Sequence, residues 1–130
     1  MHPFRKAVED GAPETFEGLL AENVAFTSPV AFKPYPGRAL TAAILRAAFR
    51  VFEDFRYVRE IASPDGRDHA LVFQARVGGR EVTGCDFLHT GDDGLIDDFM
   101  VMVRPLSGAN ALAEAMGAQF ERIEREASGG

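Results

Sequence analysis

The chain has no tryptophan, two tyrosines and one cysteine. A lone thiol, Cys85, cannot close an internal disulfide, and it excludes zinc centres built from several thiolates. Basic runs are missing too. No three basic residues are consecutive, and 20 acidic residues outnumber 14 basic ones, for a net charge of −6. Nucleic acids and anionic membranes recruit basic patches, so neither is expected as a partner. No window approaches the ~18 apolar residues of a membrane span, and the first residues lack a run of signal-peptide length. These absences lead us to expect a cytoplasmic, reducing location.

What is present is phenylalanine: 11 of 130 residues. Phe brings large apolar area without a polar atom that needs a partner. The length suits one domain with a real core. We expect that domain over residues 1–127, with 128–130 as a loose tail.

Residues 3–10 read as a short helix ended by Gly11. Pro13 suits the first turn of a second helix, with Phe16, Leu19 and Leu20 as its buried stripe. Val24 to Ser28 reads as a strand that Pro29 ends, and the prolines up to Gly37 mark a loop. A helix is expected over 39–52. The period then switches to two. Strands are expected at 55–62, 69–77, 80–89 and 95–104, joined by turns at Ser63–Gly66, Gly78-Gly79 and Asp92–Gly94. Pro105 stops the last strand, and 109–126 reads as a helix with Leu112, Met116, Phe120 and Ile123 on one face. This order predicts an α+β fold. The last strand is apolar on both faces: Phe99, Val101 and Val103 on one, Met100 and Met102 on the other. Both need cover, by the terminal helix or by a second subunit, and we expect a homodimer.

Asp86 shares a strand face with Val82, Gly84 and Leu88. An acid among such neighbours must be paired, wet or neutral. It then either faces a pocket with a raised pKa, as acid or hydrogen-bond donor, or sits on the outer face, solvated or paired with Arg80 or His89. His2, His69 and His89 have no metal-ligand spacing, so no metal is expected. Asp92, Asp93, Asp97 and Asp98 read as a solvated hairpin tip. Cys85 alternates with Asp86 and faces away from it. Tyr35, in the proline-rich loop, is either a candidate lid donor or a packed loop anchor.

Several segments together carry a resemblance. They are Leu20 to Pro29, Gly37-Arg38, Gly84-Cys85-Asp86-Phe87-Leu88, Asp93-Gly94-Leu95-Ile96 and Val101 to Leu106. In this order and spacing the chain resembles the nuclear transport factor 2-like superfamily, in its SnoaL-like and ketosteroid-isomerase-like branches. The resemblance implies a cone: a curved antiparallel sheet wrapped around N-terminal helices, cystatin-like, with an apolar pocket inside. It implies dimers, no cofactor and small hydrophobic ligands. It also implies that an acid at Asp86 points into the pocket, and the ketosteroid enzyme is itself the standard example of a carboxyl kept neutral by an apolar site.

Other positions depart from the pattern. Ser28 stands where the isomerases would have a carboxylate base, and Phe4 where they would have a phenol. Gly84 replaces the arginine of the similar epoxide hydrolases, and the last strand shows only Val and Met where hydrolases and cyclases would have an acid. Ketosteroid isomerisation as such is therefore not expected. The expected wall of the pocket is Phe4, Phe16, Phe26, Ser28, Leu45, Phe73, Val82, Phe99, Val101 and Val103, with Asp86 as the catalytic acid. The expected function is binding of a small hydrophobic molecule, with isomerase-, cyclase- or hydrolase-like acid/base chemistry. The alternative is a non-catalytic ligand-binding or dimerisation module.

Overall fold

A computed structural model describes residues 1–129; Gly130, the end of the expected tail, lies outside the described residues. Helix α1 spans Pro3–Glu9. Its start is fixed by Pro3 at the first turn and by His2, whose Nδ1 accepts the Phe4 N–H at 2.9 Å. The helix expected from Pro13 is instead two single turns of 3₁₀ helix, Pro13–Thr15 and Glu17–Leu19. Leu20 already belongs to strand β1, Leu20–Thr27, where it pairs with Ile96. The stripe is still mostly inside: Phe16 and Leu20 are buried. Tertiary pairing of Leu20 overrides a local pattern that has only one helical repeat behind it.

A two-residue strand, β2 (Tyr35–Pro36), lies within the expected loop and pairs with β1. Helix α2 spans Arg38–Val51 behind Gly37, whose φ of +96° suits glycine alone. Strands β3 (Glu53–Ala62), β4 (Asp68–Val77), β5 (Arg80–Thr90) and β6 (Ile96–Arg104) form the meander, and helix α3 (Leu106–Ala127) closes the chain. Gly78 and Gly79, both at positive φ, make the tight β4–β5 hairpin.

The six strands form one curved, open sheet in the order β2-β1-β6-β5-β4-β3. It is antiparallel except where β1 runs parallel to β6. The concave face carries Leu71 and Phe73 from β4, Asp86 and Leu88 from β5, and Phe99 and Val101 from β6, all buried. The helices pack on this side. Alanines 42, 43 and 47 of α2 are buried, and their small side chains let the helix approach closely. The rings form a connected set: Phe4 lies 5.0 Å from Phe16 and 5.1 Å from Phe99, and Phe55 stacks on Phe73 at 4.8 Å. Each buried Phe contributes roughly 1.5–3 kcal/mol.

Among the described residues no helix packs on the convex face. Met102, Ile61 and Val58 there are 53%, 55% and 50% exposed. The terminal helix, offered above as one cover for the Met100–Met102 face, packs on the opposite side, against Val82 and Val103.

Candidate functional site

A cavity of about 290 Å³ opens between the concave sheet face, α2, α3 and the loop after β1. Its floor is Asp86, Phe73 and Val101; its walls include Phe4, Phe26, Leu45, Phe49, Phe52 and Phe55. The mouth is framed by Ser28, Pro29, Val30, Ala31 and Tyr35 on one side. Ala113, Gly117 and Phe120 of α3 frame the other. The Tyr35 ring lies 6.0 Å from that of Phe120, so loop and helix touch across the rim.

Asp86 reaches the floor because β5 alternates and its register sets it between Leu71 and Val101. It is 5% exposed. Tyr57 donates its hydroxyl hydrogen to Oδ2 at 3.0 Å. Oδ1 has no hydrogen bond among the described residues, and no cationic side chain pairs with Asp86 there. Burial pushes the carboxyl up to about 7, against a downward pull from the Tyr57 bond. Burial, followed by the neighbouring Asp86, likewise pushes the Tyr57 phenol well above its ordinary value. At neutral pH the pair therefore holds an acid poised between its two forms beneath an apolar chamber.

Two details shape the floor. Gly84 lets the Phe73 ring lie across β5: a Cβ there would sit 2.3 Å from Phe73 Cζ and 2.8 Å from the Met102 carbonyl. Arg5 stands over the ring of Tyr57, 5.7 Å from its centroid, and its Nη1 donates to Glu60 at 3.2 Å.

Of the residues expected in the wall, Phe4, Phe26, Ser28, Leu45, Phe73, Asp86 and Val101 line the cavity, and Tyr35 stands at its rim. Four do not. Phe16 and Phe99 pack among the core rings behind it. Val82 is sealed under the start of α3, where Gly108 passes so close that a Cβ would meet Val82 Cγ1 at 2.5 Å. Val103 is half-buried against the same helix. Being on the correct face is thus not enough; α3 fills the narrow end of the cone.

Tyr57 is the residue of the candidate site that sequence reasoning missed. A β-bulge between Tyr57 and Arg59 reverses the alternation of β3, so Tyr57 faces in while Ile61 faces out. The one available signal was a tyrosine in a chain that has almost none. Elsewhere, His89 binds Asp97 at 2.7 Å at an exposed position, and Asp97 raises its pKa. Cys85 is half-buried on the convex face, with burial raising its thiol. Among the described residues no group of three or more His, Cys, Asp or Glu is placed to hold a metal ion. None of the described helices is long and apolar enough to cross a membrane.

The SnoaL-like domain matches residues 2–99, which include β1, α2, Tyr57 and Asp86. The chain belongs to the SnoaL-like family. This SnoaL-like chain is similar to a solved steroid delta-isomerase of Pseudomonas aeruginosa, at 44% identity and a TM-score of 0.87, over 92% of this chain and 87% of the other. It is also similar to an uncharacterised bacterial protein with a cystatin-like fold from Silicibacter pomeroyi, at 35% identity and a TM-score of 0.85, over 97% and 95%. SalBIII, an epoxide hydrolase/cyclase-like enzyme of pyran ring formation in salinomycin, shares the fold at 18% identity and a TM-score of 0.64, over 81% and 87%. A comparison with curated proteins gave no match.

Proposed function

We propose that the protein holds a small hydrophobic molecule in the cavity and that Asp86, as the neutral acid, donates a hydrogen bond or a proton to an oxygen of that molecule. The observation that carries this is the Tyr57–Asp86 pair: a buried carboxyl on the floor of an aromatic chamber, one oxygen held by the phenol and the other without a partner. A neutral acid binds an acceptor there without bringing a charge into the apolar site. After proton transfer Asp86 is left as the carboxylate, which the Tyr57 hydroxyl stabilises. No cofactor is invoked.

The isomerase-, cyclase- and hydrolase-like descriptions of relatives agree with acid-assisted chemistry at a ligand oxygen. Removal of a carbon-bound proton needs a base as well. Ser28, at the position where the resemblance implies a carboxylate, cannot serve unaided, which favours binding and polarisation of a carbonyl over full isomerisation. We propose further that the protein is a homodimer through the convex face. There Ile61, Ala70, Phe87 and Met100 form one cross-strand row, and Val72, Cys85 and Met102 a second. An apolar double row of this kind needs cover.

The test uses 2-acetylnaphthalene as ligand. Its affinity for wild-type protein is expected to fall as pH rises through about 7, where Asp86 loses the proton it donates. Asp86→Asn, which keeps an N–H donor, should bind with no such dependence. Wild-type affinity that ignores pH across this range would falsify the assignment.

A further inference from the structure

The hydrogen-bond inventory of Ser28 is complete on one side and open on the other. Its Oγ accepts the backbone N–H of Val30 at 3.2 Å and that of Ala31 at 3.0 Å. A hydroxyl has two lone pairs and one hydrogen. Both lone pairs are occupied, and the hydrogen has no acceptor among the described residues. Ser28 is half-buried and lines the mouth of the cavity. Asp86 lines the floor with Oδ2 engaged by Tyr57 and Oδ1 unpartnered. Between the two ends the wall is aliphatic and aromatic, from Phe26, Ile44 and Phe49 among others.

We propose that Ser28 is a second hydrogen-bond donor of the cavity, and that the ligand is an apolar body carrying two acceptor oxygens, one for Asp86 and one for Ser28. This rests on the cavity being the ligand site and adds the class of molecule it takes. A neutral Asp86 offers a hydrogen from the floor, and Ser28 offers one from the mouth. A ligand with an acceptor at one end only leaves one donor without a protein or ligand partner, and sites built to hydrogen-bond a substrate group discriminate on that basis. The third polar side chain of the lining, Tyr35, makes no hydroxyl hydrogen bond among the described residues, and a phenol can donate or accept. The loop conformation explains why a serine serves here: the same oxygen that shapes the turn is locked as an acceptor, so its hydrogen points away from the backbone it holds.

The experiment compares 2-acetylnaphthalene with 2,6-diacetylnaphthalene by calorimetric titration below pH 7, on wild type, Ser28→Ala and Ser28→Asp. Ionised Asp keeps the two backbone N–H bonds and has no hydrogen to give; Ala lacks both. Beyond the factor of about two from its symmetry, the diacetyl probe should bind wild type roughly three- to tenfold more tightly. In both variants the ratio should collapse to about that statistical factor. Thermal melting of Ser28→Asp reports that the loop is retained. A wild-type ratio no larger than the statistical one overturns the proposal, as does a large ratio that survives in Ser28→Asp. Wild-type protein that binds neither probe overturns the ligand-site reading itself, and this inference with it.

Discussion

The Tyr57 hydroxyl reaches over β4 to Oδ2 of Asp86, 3.0 Å away, and joins two strands that are not neighbours in the sheet. Among the described residues this bond is the one hydrogen bond made to a carboxyl buried among phenylalanines. It stabilises the ionised form, and burial destabilises it by more.

The first prediction concerns Tyr57 alone. Tyr57→Phe keeps a ring against Phe55 and Phe73, 4.9 Å and 6.5 Å away, and removes only the donor. The carboxylate loses its sole hydrogen bond, so the pKa of Asp86 should move above the wild-type value. The pH at which carbonyl affinity is lost should move up with it. The change in stability below that pH should be about 1 kcal/mol. Carboxyl NMR titration of both proteins checks this, and an Asp86 pKa that stays put or falls would show that the bond has no electrostatic role.

A second prediction follows from two buried groups that titrate in opposite senses. Asp86 is raised from 3.8 to about 7, so its stabilising effect is full below pH 3.8 and is lost as pH rises through about 7. His2 is lowered from 6.5 to about 4, first by burial and then by His69, whose ring lies 4.6 Å away. Its effect is full above pH 6.5 and is lost as pH falls through about 4. The two shifts are of similar size and opposite sense. Between pH 4 and 6.5 the two nearly cancel in the wild type. Asp86→Asn should leave stability rising with pH over that window. His2→Asn, which can still cap α1, should leave it falling. Urea denaturation at several pH values measures both slopes, and variants with parallel profiles would contradict the assignment.

The third prediction addresses the convex face. Met102 is half-exposed at the centre of the strands that carry the two apolar rows. Met102→Glu should convert the proposed dimer to a monomer in sedimentation velocity and leave the far-ultraviolet circular dichroism unchanged. A wild-type protein that sediments as a monomer would remove the dimer from the account, and the cavity, on the other face of the sheet, would stand.

Much of the architecture is legible in the chain because its signals are local. The Gly78-Gly79 hairpin, the proline stop at Pro105 and the two-residue period of β4 to β6 depend on neighbours in sequence. The stretch from Pro13 to Leu20 misleads because a single apolar repeat cannot outweigh the pairing of Leu20 with a strand more than seventy residues away. The site is legible in part. Alternation along β5 places Asp86 on the same face as Gly84 and Leu88, and the concave side of that face is where it stands. Val82 shares that alternation and lies outside the cavity, because the path of α3 decides how deep the chamber runs.

The sequence by itself determined the fold class, the residues of β5 that share a face with Asp86 and the supply of phenylalanine, since these follow from periodicity, turn chemistry and composition; which side of the sheet that face lies on was decided by the packing of the helices. The tertiary structure alone decided that Tyr57 meets Asp86, because the bond joins β3 to β5 across β4 and no count along one strand brings those two residues together. It alone placed the open hydroxyl of Ser28 at the rim, because that depends on which backbone N–H groups the loop turns toward it. Counting along a strand finds a face; only packing in three dimensions finds a partner.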